Sequence, residues 1–165
     1  MKLKFILFAL IFFSTVCKSQ TACEFEFLND TLTLPEEGKV LQGTSLETTL
    51  KNLSVIKIFQ SSNPKDDYLY LRILVTKNFY FNKVDKLELR SGSKSYWVKP
   101  DSKQYKISKT MGLFVVRVAK NYIVTLKEEG ITSIVFGGAE TDFTKQDALQ
   151  IKKISRCFYE TIYRK

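Results

Sequence analysis

Residues 68–81 read YLYLRILVTKNFYF, and we expect the rest of the chain to pack around them. Apolar side chains fill alternate positions of this stretch, interrupted only by Lys77. These side chains are Leu69, Leu71, Ile73, Val75, Phe79 and Phe81. Because successive side chains of a strand point to opposite faces, a period of two predicts a β-strand with one buried face. The stretch is long for one strand, so we also expect a bulge or bend near residues 76–78.

Two predicted hairpins flank this central strand. Upstream, residues 54–60 have the pattern of a strand, and the turn-forming residues 61–67 connect it to the central strand. Downstream, residues 86–90 and 94–98 alternate on either side of a short Ser-Gly-Ser turn. This order of strands and turns indicates an antiparallel sheet.

The remaining strands are predicted from shorter patterns. A weak alternation indicates a first strand at residues 23–27. Turn-forming residues make 29–43 loop-like, with room for a brief strand at residues 31–34. Later strands are predicted at residues 105–107, 113–118 and 131–136.

The C-terminal segment, residues 144–163, has the clearest helical pattern in the chain. Thr144 is suited to the N-cap, and Asp147 lies in the first turn, where the helix dipole favours an acid. An apolar stripe runs along the segment at helical spacing: Ala148, Ile151, Ile154, Phe158 and Ile162. Such a stripe predicts a helix that covers a sheet.

Residues 121–129 are ambiguous. YIVTL suits a strand by propensity, whereas Asn121 before it and Gly130 after it suit the two ends of a helix. We interpret the segment as a short helix. The sequence therefore predicts an α+β domain: an antiparallel β-sheet, either open or sandwich-like, covered by a C-terminal α-helix, with a short helix near residues 121–129.

The N-terminus has the features of a secretory signal peptide. Lys2 and Lys4 precede an apolar run at residues 5–16, and polar residues follow. Small side chains then suit cleavage after residue 19. We expect residues 1–19 to be removed and residues 20–165 to form a single exported domain, periplasmic or extracellular, with no transmembrane helix.

Three alternatives to this processing fit the sequence less well. A membrane anchor needs about 20 apolar residues, which this run does not provide. Cleavage after Ala22 would place a bulkier residue at the −3 position. Lipidation of Cys17 would need a small residue before the cysteine, where Val16 stands.

Removal of the leader would leave two cysteines, Cys23 and Cys157. Because an even pair in an oxidising compartment is more often joined than free, we predict a disulfide between them. The alternative is that Cys157 is a buried small apolar residue of the helix and Cys23 a mobile terminal residue.

The sequence lacks the motifs of the common classes of enzyme. Without any histidine, the commonest general base and the commonest zinc ligand are missing. The chain has no glycine loop that would cradle a phosphate, and its adjacent acids, such as Asp66-Asp67, have the character of solvated turns. We therefore predict no catalytic residue, no metal and no cofactor.

One segment combines aromatic and basic residues without a balancing acidic charge. The residues that we predict to bind a ligand are Tyr96, Trp97, Lys99, Lys103, Tyr105 and Lys106. A hairpin that displays them could stack on sugars or hold an anionic polymer. The alternative is a half-buried Trp97 or Tyr96, with lysines that keep an edge strand soluble.

The excess of positive charge is moderate. The exported chain would hold 23 basic against 17 acidic residues, a net charge of +6. That excess, in an exported protein, does not indicate a nucleic-acid partner. The expected partner is unidentified, with an anionic glycan or an envelope protein as the candidates.

The motifs DKLELRSG at residues 85–92 and EEGITSIVF at residues 128–136 resemble those of uncharacterised secreted proteins of Bacteroidota. This resemblance, over roughly residues 54–158, implies export and a mixed fold of sheet and helix, and it implies no activity. We therefore expect a non-enzymatic binding or interaction module at the cell envelope. The alternatives are a hydrolase that uses carboxylates or a Ser/Lys pair, and a structural component of the envelope.

Overall fold

The structure is a computed structural model, which describes residues 23–34, 37–51, 54–76, 87–98, 105–108, 111–136 and 139–164. The predicted leader, residues 1–19, lies outside these ranges, as does the expected continuation of the central strand over residues 77–81. In chain order the elements are β1 (Leu28–Leu34), β2 (Lys39–Thr49), β3 (Val55–Ser61), β4 (Tyr68–Thr76), β5 (Leu87–Ser91), β6 (Lys94–Val98), β7 (Tyr105–Ser108), β8 (Met111–Ala119), α1 (Tyr122–Glu129), β9 (Ser133–Phe136), β10 (Ala139–Asp142) and α2 (Lys145–Ile162).

The strands form two antiparallel sheets. The larger has the order β1-β2-β3-β4-β8-β7 and the smaller the order β10-β9-β5-β6. The strand β4 lies between β3 and β8 in the larger sheet, and its alternate apolar side chains are fully buried. With α2 packed on β2 and β3, the predicted α+β class is confirmed.

One core joins the two sheets and both helices. Its larger-sheet side includes Ile58, Leu71 and Val116, and its smaller-sheet side includes Leu89 and Ile134. The helix α2 packs on α1 as well as on the larger sheet, and α1 also contacts β5. The two sheets also meet directly, since the Phe114 ring of β8 lies 4.9 Å from the Phe136 ring of β9.

The sequence predicted the start of α2 correctly but the start of α1 only in part. At α2, Thr144 and Asp147 form the reciprocal hydrogen bonds of a capping box, as the sequence pattern indicates. The helix α1 confirms the interpretation of residues 121–129, and Gly130 ends it with a φ of 72°. The side chain of Asn121 makes no capping hydrogen bond, so that part of the prediction was wrong.

The N-terminal quarter of the domain differs most from the prediction. Residues 23–27 form no strand, and the expected loop at 29–43 is instead the hairpin of β1 and β2, which turns at Gly38 with a φ of 59°. Gly43 was misleading as a turn signal, because it lies within β2. A side chain there would collide with the Phe59 ring and the Gln60 carbonyl, so a glycine is needed for close approach.

This hairpin curls over the second face of the larger sheet. Glu37, near its turn, forms an ion pair with Arg117 on β8, although β3 and β4 separate β8 from β2. A small second cluster is buried beneath it: Leu32, Leu34, Leu41, Phe59, Tyr70 and Val115. Under the same hairpin, Lys57 Nζ lies 2.8 Å from Asp30 Oδ2 and 3.1 Å from Glu47 Oε2.

The two predicted disulfide partners lie together. The Cα atoms of Cys23 and Cys157 are 5.3 Å apart, within the 4.4–6.8 Å that disulfides span. The segment that follows Cys23 also lies on α2, where the Phe27 and Phe158 rings are 6.0 Å apart. In the part of the chain that the structure describes, no helix is both long and apolar enough to cross a membrane.

Candidate functional site

The outward side of the smaller sheet carries the most exposed aromatic ring of the described residues. Strand register places its side chains in two rows that cross all four strands. The first row is Trp97, Glu88, Val135 and Glu140, and the second is Ser95, Arg90, Ser133 and Asp142. We call these eight residues the outer face. The alternate residues of the same strands, such as Leu89 and Ile134, point inward and are buried.

Trp97 dominates the outer face. It is the only tryptophan of the chain, and 64% of its surface is exposed. Tryptophan is highly buried on average in folded proteins, so an indole exposed to this extent on a regular strand carries uncompensated apolar surface. A ligand that covered the ring would gain from its removal from water.

Beside Trp97, an ion network fixes the middle of the outer face. The Arg90 guanidinium donates to both oxygens of Glu88, over 3.0 Å from Nε and 3.2 Å from Nη2. Its Nη1 also donates to Glu140 Oε1, which accepts a second hydrogen bond of 2.8 Å from Ser133 Oγ. Such a bidentate pair holds its members in one geometry. The network therefore forms a hydrogen-bonded polar surface of fixed geometry next to the indole.

Hydrogen bonds keep this network charged. Those from Arg90 and then Ser95 hold the pKa of Glu88 below its usual value, and the bond to Glu88 raises the pKa of Arg90. Acid–base catalysis by two carboxylates needs one of them to hold its proton near neutral pH. Glu88 does not meet that need, since it is bound to Arg90 and ionised.

The predicted ligand-binding residues are divided by the fold. Tyr96 points to the inner side of β6, where its ring lies 4.6 Å from that of Tyr122 and its hydroxyl lies 3.1 Å from Thr125 Oγ1. Tyr105 and Lys106 belong to β7, at an edge of the other sheet, and only their backbone is described.

Lys99 and Lys103 lie outside the described residues. Among the side chains that the structure describes, Trp97 is therefore the one predicted binding residue that lies on the outer face. Whether any of the six residues binds a ligand stays a prediction.

Sequence reasoning missed the polar residues that share the outer face with Trp97. Alternation along β5 places Glu88 and Arg90 opposite the buried leucines, so their side could have been inferred from the pattern. Glu140 could not, because β10 is short and polar and carries no strand signal.

The charge of the described outer face is acidic. Glu88, Glu140 and Asp142 stand against Arg90 alone. Any preference for an anionic ligand would therefore depend on the predicted lysines beyond Val98. No group of His, Cys, Asp or Glu within the described ranges could hold a metal ion.

Comparison with known proteins identifies no relative. No protein-family model, no curated protein and no solved structure matches the chain.

Proposed function

We propose that the protein is an exported, non-enzymatic binding module of the cell envelope, and that its ligand stacks on Trp97. The observation that carries the proposal is the 64% exposure of this indole, the fourth residue of the five-residue strand β6 at the edge of the smaller sheet. Aromatic rings of this kind serve binding sites because they offer a large rigid surface at little cost in conformational entropy.

The outer face suits a sugar ring. The apolar side of a pyranose can cover the indole, and its hydroxyls can reach the exposed Ser95, two residues before Trp97 on the same strand. An anionic glycan would in addition require Lys99, Lys103 or Lys106 at the rim. Binding that weakens steeply with salt would point to those lysines, and binding that is insensitive to salt would point to stacking and hydroxyl contacts alone.

Export is supported by the character of residues 1–19. The closeness of Cys23 and Cys157 is compatible with it, since disulfides persist in oxidising compartments. An envelope location then makes glycans the most abundant ring-bearing ligands within reach.

A single substitution tests the proposal. Trp97→Ala should fold as the wild type does, because the side chain is exposed, and it should lose roughly 30-fold in affinity for the envelope polysaccharide that the wild type binds. Isothermal titration against a panel of charged and neutral polysaccharides measures both proteins. Leu149→Ala is the matched control, since Leu149 is a 52% exposed apolar residue on α2. The proposal fails if Trp97→Ala binds as tightly as the wild type, or if the wild type binds no member of the panel.

A further inference from the structure

An uncharged polar patch lies on the first three strands of the larger sheet. Strand register again gives two rows. One is Thr31, Gln42 and Ser62, and the other is Asn29, Thr44 and Gln60. We call these six residues the neutral patch. Each of them has an amide or a hydroxyl side chain, in a chain of which 26% of the residues are charged.

The neutral patch lies beyond the end of α2, on the face of the sheet that the helix covers. At the boundary, the Tyr163 hydroxyl donates to Gln60 Oε1, so the last turn of the helix meets the second row. Past this contact the sheet opens into a depression of about 360 Å³, which is lined by Asn29, Asp30, Thr31, Gln42, Gly43 and Ser62. Small-molecule sites begin at roughly this size.

The depression carries no uncompensated charge. Asp30 is the one ionisable residue of its lining, and strand alternation turns its side chain to the opposite face. There its carboxylate accepts hydrogen bonds from Lys57 Nζ over 2.8 Å and from Ser45 Oγ over 3.0 Å. An ionic ligand would therefore find no counter-charge in the depression.

The polar groups of the first row and of Asn29 are free to bind. Asn29, Thr31, Gln42 and Ser62 are exposed, and their side chains make no hydrogen bond to other described residues. Amides and hydroxyls can both donate and accept, which are the two capacities of a sugar hydroxyl.

We propose that the neutral patch is a second ligand site, which binds an uncharged oligosaccharide through hydrogen bonds between its hydroxyls and the Asn29, Thr31 and Gln42 side chains. This site is distinct from the outer face and does not depend on Trp97. Addition of a further strand at the β1 edge fits the structure less well. The Thr31 N–H, in the middle of that edge strand, already donates to Asp30 Oδ1 over 2.8 Å.

Amide chemical shifts of the nitrogen-15-labelled protein test the proposal, with maltohexaose, cellohexaose and laminarihexaose as uncharged probes at millimolar concentration. At least one probe should shift the backbone signals of residues 29–31 and 42–44 saturably, to the same extent at low and at high salt. Asn29→Ala combined with Gln42→Ala should weaken that binding roughly tenfold, because each substitution removes one hydrogen-bonding side chain. Gln146→Ala, which removes an exposed amide from α2, should leave it unchanged.

Three results would overturn the inference. The first is the absence of shifts in this patch with all three probes. The second is shifts that disappear in Trp97→Ala, which would assign the sugar to the outer face. The third is shifts that grow with protein concentration in the absence of sugar, which would indicate strand pairing at β1.

Discussion

The Asp147 carboxylate connects the start of α2 to the segment that follows β2. Its Oδ2 accepts hydrogen bonds from the Thr144 N–H and hydroxyl, and its Oδ1 accepts one of 2.8 Å from the Lys51 N–H. The residue is 3% exposed, so these hydrogen bonds take the place of those that the carboxylate would make to water. The carboxylate therefore both begins α2 and ties the helix to the segment that follows β2.

Replacing Asp147 should cost more than replacing its capping partner. Thr144→Ala should lower the free energy of unfolding by about 1 kcal/mol, the usual value for an N-cap. Asp147→Ala should lower it by about 2–4 kcal/mol, because it also removes the acceptor of the Lys51 N–H. Urea denaturation of the two variants measures the difference, and equal losses would contradict the role given to the Lys51 contact.

The same carboxylate predicts a dependence of stability on pH. Burial alone would raise the pKa of Asp147, but hydrogen bonds from Thr144 and from the Lys51 N–H outweigh it, and the pKa lies below the usual 3.8. A carboxyl whose pKa is lowered by folding stabilises the fold fully above its unfolded pKa, and this contribution is lost as pH falls through the folded pKa. Urea midpoints measured from pH 5 downward should therefore fall less steeply in Asp147→Asn than in the wild type. Parallel curves for the two proteins would count against this assignment.

Among the elements, the side chain of Lys57 on β3 binds both strands of the curled hairpin, through Asp30 on β1 and Glu47 on β2. Burial lowers the pKa of Lys57, but hydrogen bonds to Asp30 and Glu47 outweigh it and raise the pKa above its usual value. The ammonium is therefore charged at neutral pH and lies between two carboxylates. One of these, Asp30, belongs to the edge strand of the hairpin, so the contact spans three strands.

Lys57→Met should destabilise the hairpin and the domain with it. Removing one partner of a fully buried ion pair costs 3–5 kcal/mol, and we expect about 2 kcal/mol here because both carboxylates keep some contact with water. Lys153→Met, an exposed lysine of α2, should change stability by less than about 0.5 kcal/mol. Combining Lys57→Met with Asp30→Asn should cost less than the sum of the two changes, and strict additivity in urea denaturation would contradict the pairing.

Some strands could be predicted from the sequence and others could not. The strand β4 could be predicted because its alternate apolar residues all lie on the face of the main core, whereas no such pattern predicts the burial of Tyr70 on the opposite face. Of β1 only residues 31–34 were anticipated, and β2 was not, because Asn29 and Gly43 carry turn signals while the close approach of Phe59 requires a glycine. The sequence left open whether Trp97 is exposed, and the place of Glu140 on the outer face depends on pairing between β9 and β10, which no local pattern indicates.

Cys23 and Cys157 lie at disulfide distance near the two ends of the described chain, and a bond between them closes a long loop. The two residues are 134 positions apart, and by the chain-entropy model such a loop stabilises the fold by roughly 4–5 kcal/mol. Reductant should therefore lower the urea midpoint of the wild type and leave that of a Cys23→Ser, Cys157→Ser variant unchanged. Two titratable thiols in unfolded but unreduced protein would contradict the bond.

The most direct test of the proposed function uses the protein's own fluorescence. Trp97 is the only tryptophan of the chain, so tryptophan emission reports on the outer face alone. An indole with 64% exposure should emit as it does in water, and a glycan stacked on it should shift the emission to shorter wavelength or quench it, with the midpoint that calorimetry gives for binding. Emission that stays unchanged while calorimetry shows the same glycan to be fully bound would contradict the account.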